Sequence, residues 1–182
     1  LLIKKFRIKS FKEEHPIIEL KNLTISYGNR QIVEQLNLSI QKSEICGLLG
    51  PNGAGKSSIY HTIIGLVKPT FGKIFIEGND VTDIPTHIRC SKFGISWVPQ
   101  YGGSWSDLTV YDNLMAIAEL HIKKKEERLT KINNLVRKFE LQNVVKLKSK
   151  YLSGGQVRKL TLAMAMVKDT KILILDEPFA AL

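Results

Sequence analysis

The feature that most constrains the fold is a short apolar run that leads into a glycine-rich loop and then into a helical pattern. The run is I45-C-G-L-L49, the loop and first helical residues read G50-P-N-G-A-G-K-S57, and residues 57–67 follow with helical spacing. A short, continuously apolar strand is typical of a sheet buried on both faces, which is what we expect of residues 45–49. Strand, G-x-x-x-x-G-K-[ST] loop and helix together predict a phosphate loop in an α/β fold.

A phosphate loop holds phosphates with backbone amides, and its glycines let the backbone wrap closely around them. We expect Lys56 to reach the β and γ phosphate oxygens and the Ser57 hydroxyl to ligate Mg²⁺. The loop therefore predicts a nucleoside triphosphate and Mg²⁺ as ligands. Its predicted binding residues are Gly50, Pro51, Asn52, Gly53, Ala54, Gly55, Lys56, Ser57 and Ser58.

A second glycine-rich segment, Y151-L-S-G-G-Q-V-R-K159, also precedes a helical pattern. Unpaired amides and the helix dipole favour an anion at such a position. The chain thus has two predicted anion sites, and the phosphate loop is the better one. The segment alone does not explain why one chain needs both.

Two carboxylates, Asp176 and Glu177, come at the end of another apolar run, K171-I-L-I-L-D176, which predicts a buried strand. Ligands gather at the carboxyl ends of strands in open α/β sheets, so we expect Asp176 to hold Mg²⁺, directly or through water. A second acid at the end of a buried strand is costly unless it has a chemical role. Glu177 is therefore predicted to polarise an attacking water.

The rest of the chain divides by hydrophobic period. Residues 17–27 and 33–40 alternate apolar and polar side chains across a Gly28-Asn29 turn and predict antiparallel strands, and residues 73–77 predict another short strand. From about Val110 the period is helical, and residues 160–167 read as mostly buried. One helix shows a single apolar stripe on a charged surface: Leu129, Ile132, Leu135, Val136 and Phe139.

The net charge of +10 is concentrated in two segments. Residues 121–150 carry a surplus of seven basic side chains and residues 1–16 a surplus of three, so the phosphate-binding core has no extended basic face. The lysine-rich segment is either a solvated surface or one attracted to an anionic membrane. No apolar run approaches the ~20 residues that cross a bilayer, and L1-L-I-K-K-F-R-I-K-S-F-K12 lacks the apolar region of a signal peptide, so we expect a cytoplasmic chain. Cysteine and histidine positions predict neither a disulfide nor a metal site: Cys46, Cys90, His15, His61, His87 and His121.

The motif order resembles that of ABC-type ATP-binding cassettes from residue 17 onward. The motifs are GPNGAGKS, Gln100 in WVPQ, LSGGQ and ILILDEP. The resemblance implies an α/β P-loop cassette with an antiparallel β subdomain and a helical subdomain at about residues 101–160. It also implies an ABC ATP-binding domain over residues 17–182, after a basic leader of residues 1–16, that binds and hydrolyses ATP with Mg²⁺.

The same resemblance implies roles for individual residues. Two copies would pack head to tail, so that the LSGGQ loop of one faces the γ-phosphate held by the other; this is why one chain would carry two anion sites. Tyr27 would stack on adenine, and Gln100 would sense both Mg²⁺ and the attacking water. The implied catalytic residues are Glu177, Gln100 and Lys56, the metal ligands Ser57, Gln100 and Asp176, and the second nucleotide contacts Ser153, Gly154, Gly155 and Gln156.

Finer similarity, in residues 80–89, 93–100, 108–116 and 176–180, is greatest to the ATPase subunits of lipopolysaccharide-export transporters. It implies separate transmembrane subunits, a peripheral position on the cytoplasmic face of the inner membrane, and no nucleic-acid partner. Branched-chain amino acid importer ATPases share the first stretch and are one alternative. A soluble ABC ATPase of ribosomes or nucleic acid is another, in which residues 121–150 would touch phosphate.

Two further expectations concern the second half of the chain. Aromatic and Met side chains between residues 100 and 115 either dock a membrane subunit or pack the helical subdomain. The sequence stops at A180-A-L182, before the aspartate and switch histidine that such cassettes carry. We therefore expect a C-terminally truncated cassette that is incomplete for catalysis.

Overall fold

The alternating apolar segments near the start of the chain form strands, as the sequence predicts. The computed structural model describes residues 1–7 and 15–177 and contains two units, residues 1–93 and 94–182. Residues 8–14 of the basic leader and residues 178–182, where the predicted truncation lies, are outside the described residues. The first unit contains β1 (Leu2–Arg7), β2 (Ile18–Tyr27), β3 (Arg30–Ile40), β4 (Glu44–Leu49), α1 (Lys56–Ile64), β5 (Phe71–Ile76), β6 (Asn79–Asp80) and α2 (Thr86–Lys92).

The main sheet of the first unit is antiparallel, with strand order β3-β2-β5-β6. Its register places Ile18 opposite Ile40 on one side and Ile76 on the other. Apolar side chains therefore line one face and form the core of this unit, which confirms the predicted antiparallel pair. The fully buried members include Leu20, Leu23, Ile25, Ile74 and Ile76.

One glycine is required where β2 bulges against β5. The register shifts between Lys21 and Thr24, and Gly72 passes this point with φ +88. A Cβ on Gly72 would collide with the carbonyl oxygens of Lys21 and Asn22. Glycine therefore lets β5 stay paired with β2 through the bulge.

Strand β4 leads into the glycine loop as predicted, but the prediction that it is buried on both faces is wrong. Ile45 is 58% exposed, and Leu49 is also exposed. Among the described residues β4 pairs only with β1, antiparallel, with Leu2 opposite Leu49. A strand with one paired neighbour lacks the flanking strands that would enclose it. No periodic pattern predicts β1, because two adjacent lysines interrupt its alternation of apolar and polar side chains.

The second unit combines a parallel strand pair with three helices. Its elements are β7 (Ile95–Val98), α3 (Val110–His121), α4 (Lys125–Lys138), α5 (Gly154–Ala165) and β8 (Ile172–Leu175), with short 3-10 turns at Gln142–Val144 and Ser149–Tyr151. β7 and β8 run parallel, with Ile95 opposite Ile172 and Val98 opposite Leu175. Parallel pairing brings the carboxyl ends of both strands to the same edge, where Gln100 and Asp176 follow.

The three helices share one apolar core. The apolar stripe of α4 is confirmed in Ile132, Leu135 and Val136, and the stretch 160–167 is mostly buried as expected. The prediction that β8 is a buried strand is wrong at Leu173, which is exposed because β7 is the only strand paired with β8 in the described chain. None of the helices among the described residues has the length and apolar character needed to span a membrane. Core residues from the three helices include Val110, Leu114, Ala118, Ile132, Leu160, Ala163 and Met164.

Candidate functional site

The phosphate loop curls around the lysine that ends it. The Lys56 ammonium donates hydrogen bonds to the carbonyl oxygens of Gly50 at 2.8 Å and Pro51 at 2.9 Å. A further bond, from the Ala54 amide to the Pro51 carbonyl at 3.2 Å, closes the loop on itself. The positive charge of Lys56 is thereby held over the loop, on the exposed side where phosphate oxygens would bind.

Helix α1 begins at this loop without a side-chain cap. Its N-cap is Gly55, with φ 87 and no capping hydrogen bond, and its first turn contains no acidic residue. A Cβ at Gly55 would lie 2.8 Å from Cγ2 of Val33, so both space and backbone conformation require glycine. The first-turn amides and the positive end of the helix dipole therefore face no competing side chain. This arrangement suits a phosphate group.

Two tyrosine hydroxyls contact the serines that open α1. Tyr60, on the same helix, donates to Ser57 Oγ at 2.8 Å, and Tyr27, at the end of β2, donates to Ser58 Oγ at 3.4 Å. Tyr27 is half exposed, so its ring lies beside the loop with one side open. The structure thus brings predicted residue Tyr27 to the phosphate loop. Sequence reasoning missed Tyr60, although its i, i+3 spacing from Ser57 is the signal that places both on one face.

The other end of α1 is held by a buried arginine that sequence reasoning also missed. Arg89 is 2% exposed, and its guanidinium donates to the carbonyl oxygens of Thr62 at 2.8 Å and Ile63 at 2.9 Å. It donates as well to the carbonyls of Ile84 at 2.7 Å and Thr82 at 2.9 Å. Burial lowers the pKa of the Arg89 guanidinium, which remains a cation because its ordinary pKa is so high. Its charge therefore complements the negative end of α1.

A surface carboxylate supports one of those carbonyl groups. Asp80 accepts hydrogen bonds from the Thr82 hydroxyl at 2.6 Å and the Thr82 amide at 3.0 Å, and pairs with Lys73 at 2.9 Å. These bonds, with that of the Thr82 hydroxyl first, lower the pKa of Asp80 to about 2. Asp80 thus stays ionised in moderate acid and fixes the turn that presents the Thr82 carbonyl to Arg89.

In the second unit the ends of β7 and β8 bring two predicted residues into contact. The amide nitrogen of Gln100 donates to Glu177 Oε2 at 2.5 Å. Because its nitrogen faces a carboxylate, the amide oxygen is the atom that Gln100 would offer to a cation. This hydrogen bond joins the two side chains that are predicted to act on the attacking water.

The backbone at this edge is unusual at one residue. Glu177 has φ 41, in the left-handed region that side chains rarely adopt, whereas Asp176 directly before it still bonds through its amide to the Val98 carbonyl at 3.0 Å. The chain therefore turns sharply between these two carboxylates. Strained backbone of this kind concentrates at functional sites.

The second glycine-rich segment starts α5 and, unlike the phosphate loop, caps its own helix. Ser153 is the N-cap, and its Oγ accepts from the Gln156 amide at 3.3 Å, while Gln156 Oε1 accepts from the Ser153 amide at 2.9 Å. This is a capping box, which satisfies two of the helix's terminal donors internally. Gly154 and Gly155 begin the helix itself. The exposed hydroxyl hydrogen of Ser153 remains available to donate.

The predicted site residues therefore fall in two groups. The phosphate loop with Tyr27 lies in the first unit, whereas Gln100, Asp176, Glu177 and the capped glycine segment lie in the second. Among the described residues no cluster of three or more His, Cys, Asp or Glu side chains forms a site for a metal ion.

Comparison of the sequence with protein families gives a match to the ABC transporter model over residues 33–180. The lipopolysaccharide export system ATP-binding protein LptB of Haemophilus influenzae is 38% identical over 165 residues, covering 90% of this chain and 68% of that protein. LptB of Escherichia coli is 37% identical over 161 residues, covering 88% and 66%. An uncharacterized ABC transporter ATP-binding protein of Rhizobium meliloti is 40% identical, covering 88% of this chain and 59% of that protein. The chain thus spans between 59% and 68% of the length of these relatives.

Solved structures with the same fold are ATP-binding cassettes. The cassette MJ1267 of an ABC transporter superimposes with a TM-score of 0.80 at 25% identity, covering 92% of this chain and 71% of its own. The cbiO1 protein of Clostridium perfringens, part of the transporter complex cbiONQ, superimposes with a TM-score of 0.81 at 25% identity, covering 93% and 68%. These similarities extend over nearly all of the chain.

Proposed function

Since this chain belongs to the ABC transporter family, we propose that it is the part of an exporter's ATPase subunit that binds ATP and positions it for hydrolysis. The α/β P-loop cassette fold predicted from the sequence is confirmed, as is the assignment to the ATPases of ABC transporters. The two LptB proteins support lipopolysaccharide as the exported substrate. Neither the branched-chain importer nor the soluble ABC ATPase gains support from these relatives.

The observation that carries this proposal is the uncapped start of α1 with Lys56 held over it. An arriving triphosphate would exchange the two carbonyl partners of Lys56 for β and γ phosphate oxygens. Charge-assisted bonds to phosphate are stronger than the bonds to neutral carbonyls that they replace. The first-turn amides would complete the cradle, and the half-exposed ring of Tyr27 would stack on adenine.

We propose Mg²⁺ as the cation that accompanies the triphosphate, because each proposed ligand offers an oxygen atom. Ser57 supplies a hydroxyl, Gln100 an amide oxygen and Asp176 a carboxylate, the kind of ligands that hard cations prefer. When bound, Mg²⁺ would neutralise charge that develops on the phosphates. The Tyr60 hydroxyl, 2.8 Å from Ser57 Oγ, would keep that oxygen oriented.

Hydrolysis requires a water molecule that is oriented towards the γ-phosphate and deprotonated as it attacks. We assign this to Glu177, whose Oε2 would accept the proton while Gln100 holds the carboxylate in place. The second glycine-rich segment, residues 153–156, would contact the γ-phosphate held by the other copy of a head-to-tail homodimer. The Ser153 hydroxyl suits this role because its capping bond uses the oxygen as an acceptor and leaves its hydrogen to donate.

Coupling to transmembrane subunits would occur at residues 100–115, on the cytoplasmic face of the inner membrane. Trp105 is 48% exposed, and Tyr101 and Leu108 are exposed as well, whereas Tyr111 and Met115 pack against the helical core. The exposed members therefore suit docking, and the other two support the alternative of core packing. Trp105→Ala in the full-length protein should abolish co-purification with the membrane subunits and leave the melting temperature nearly unchanged. Tyr151→Ala, an exposed aromatic outside the segment, is the matched control.

Calorimetric titration of the full-length protein with ATP tests the proposal. Lys56→Ala should weaken binding by about tenfold to a hundredfold, because hydrogen bonds to charged groups contribute about 1.5–3 kcal/mol. Lys68→Ala is the control, since Lys68 lies in the same unit and pairs with Asp83 at the surface at 2.6 Å. Equal affinity of wild type and Lys56→Ala would refute the assignment of this loop. Stimulation of turnover by lipopolysaccharide in the reconstituted transporter, with none by branched-chain amino acids or RNA, would separate the three functional alternatives.

A further inference from the structure

Arg158 lies in the second turn of α5, two residues beyond the part of the glycine-rich segment, residues 153–156, to which a role was assigned. Its Nη1 donates to the carbonyl oxygen of Pro99 at 2.6 Å, and its Nη2 donates to the carbonyl oxygen of Asp176 at 3.1 Å. These two carbonyl groups belong to the residues directly before Gln100 and Glu177. One guanidinium therefore bridges the two backbone segments that carry the Gln100–Glu177 contact.

The bridge begins where the strand pair ends. The last ladder bond runs from the Asp176 amide to the Val98 carbonyl, and the next residue after Val98 is Pro99, which has no amide hydrogen to continue the ladder. Beyond that point the two chains depend on other groups to stay aligned. Arg158 supplies two bonds there, and the planar fork of its guanidinium fixes both directions at once.

The position of Arg158 is not that of a solvated surface side chain. Its Nε atom is buried and, among the described residues, has no hydrogen-bond partner. Leaving a cationic donor unpaired costs free energy, so the two carbonyl contacts determine where the guanidinium lies. The adjacent Lys159 differs, because its ammonium pairs with Glu140 at the surface.

We propose that Arg158 is a positioning residue that holds Gln100 against Glu177 and joins both to the helix that begins at the LSGGQ segment. This inference rests on the proposed function for the roles of Gln100 and Glu177, but the contact itself does not depend on nucleotide. Movement of α5, such as a second copy binding at Ser153 would cause, is transmitted through Arg158 to the backbone before both side chains. ATP binding at the phosphate loop does not require it.

The test uses the full-length protein, nucleotide-free, with ¹⁵N in glutamine side chains. Gln100→Ala identifies the Gln100 amide resonance, whose shift reports the hydrogen bond to Glu177. Arg158→Met should move this resonance to the position of a solvated amide. It should also lower kcat by about tenfold to a hundredfold while the ATP dissociation constant changes less than about twofold. Arg158→Lys should restore part of the resonance shift and part of kcat, because its ammonium keeps the charge but lacks the planar fork of a guanidinium.

Lys159→Met is the control and should leave the resonance and kcat unchanged. An unmoved Gln100 resonance in Arg158→Met, or an equal change in Lys159→Met, overturns the proposal. If Arg158→Met does not fold, the resonance in Arg158→Lys decides, since a full wild-type shift there also overturns it. A wild-type protein that neither binds nor hydrolyses ATP would refute the proposed function, while the nucleotide-free spectra would still decide the role of Arg158.

Discussion

Helices α1 and α5 both begin at glycine-rich loops, yet they are stabilised at opposite ends. At the start of α1, Gly55 offers no side-chain cap, while the buried guanidinium of Arg89 holds the carbonyl groups of its last turn. At the start of α5, Ser153 and Gln156 form a capping box, and its last turn contains no basic residue. The two loops look alike in glycine content but differ in where their helix dipoles are compensated.

This difference shows how a helix start can be kept for a ligand. A cation at the C-terminal end of a helix and a side-chain cap at its N-terminal end each stabilise the helix by a similar amount, roughly 1 kcal/mol. The cation at the C-terminal end of α1 therefore substitutes for a cap at its start. In the described part of the chain, no side chain caps the amides at the start of α1, which are therefore available to phosphate. Those at the start of α5 are partly satisfied, so that helix is stable without an anion.

The largest effect that we expect is a loss of ATP turnover without a loss of ATP binding. It separates the chemistry of the second unit from nucleotide binding at α1. Glu177→Gln should lower ATP turnover by about 10²–10⁴-fold, the typical contribution of a general base. ATP affinity should stay near wild type, and the full-length variant should accumulate as an ATP-bound dimer on a sizing column. Glu140→Gln, an exposed carboxylate paired with Lys159, is the control. Turnover at the wild-type rate would remove Glu177 from the mechanism.

The next largest effect concerns the far end of α1. Arg89→Met should reduce the free energy of unfolding by about 3 kcal/mol, because it leaves four carbonyl groups, two buried and two partly buried, without their shared cationic donor. Chemical denaturation measures this, and Arg30→Met, at an exposed position of the same unit, should change it by less than about 0.5 kcal/mol. A loss no larger than the control would show that α1 does not depend on Arg89.

A smaller effect should distinguish the start of α5. Ser153→Ala removes the capping oxygen and should destabilise the protein by about 1 kcal/mol in the absence of nucleotide. ATP affinity of the single copy should not change, since the hydroxyl is assigned to a partner's phosphate. Denaturation and calorimetry of the same sample give both quantities. Weakened ATP binding in a strictly monomeric sample would contradict the division between the two helix starts.

The smallest effect is a pH dependence of stability, which arises because the Asp80 carboxylate fixes the turn whose Thr82 carbonyl binds Arg89. The pKa of Asp80 is lowered from 3.8 to about 2, so its bonds stabilise the folded state above pH 3.8. That contribution is lost as pH falls from 3.8 through about 2. The difference in unfolding midpoint between wild type and Asp80→Asn should therefore be nearly constant above pH 5 and should narrow mainly between pH 3.8 and about pH 2. A difference that stays constant over this range would show that the Asp80 carboxylate does not titrate as described.

The sequence predicted the local parts of this comparison and missed the long-range ones. The glycine loop, the antiparallel pair and the apolar stripe of α4 are encoded in spacing over a few residues, and the structure contains all three. The capping box is also local, since Ser153 and Gln156 are three residues apart. Arg89 and Arg158 each bind carbonyl groups far along the chain, which no periodic pattern reveals.

The errors have a related cause. The apolar runs of β4 and β8 predicted full burial, but burial depends on how many strands pair with each run, and among the described residues each has one. The β1 strand that pairs with β4 contains adjacent lysines and shows no alternation. Local residue patterns therefore located β4 and β8 correctly, overestimated the burial of both, and missed β1.

One measurement tests the central claim that α1, and not α5, presents a ready anion site. Titration of the ¹⁵N-labelled protein with Mg·ADP follows the backbone amides at both helix starts, and ADP lacks the γ-phosphate that the proposed partner contact needs. We expect large shifts at Lys56 and Ser57 and almost none at Gly154 and Gly155. Equal or larger shifts at Gly154 and Gly155 would contradict it.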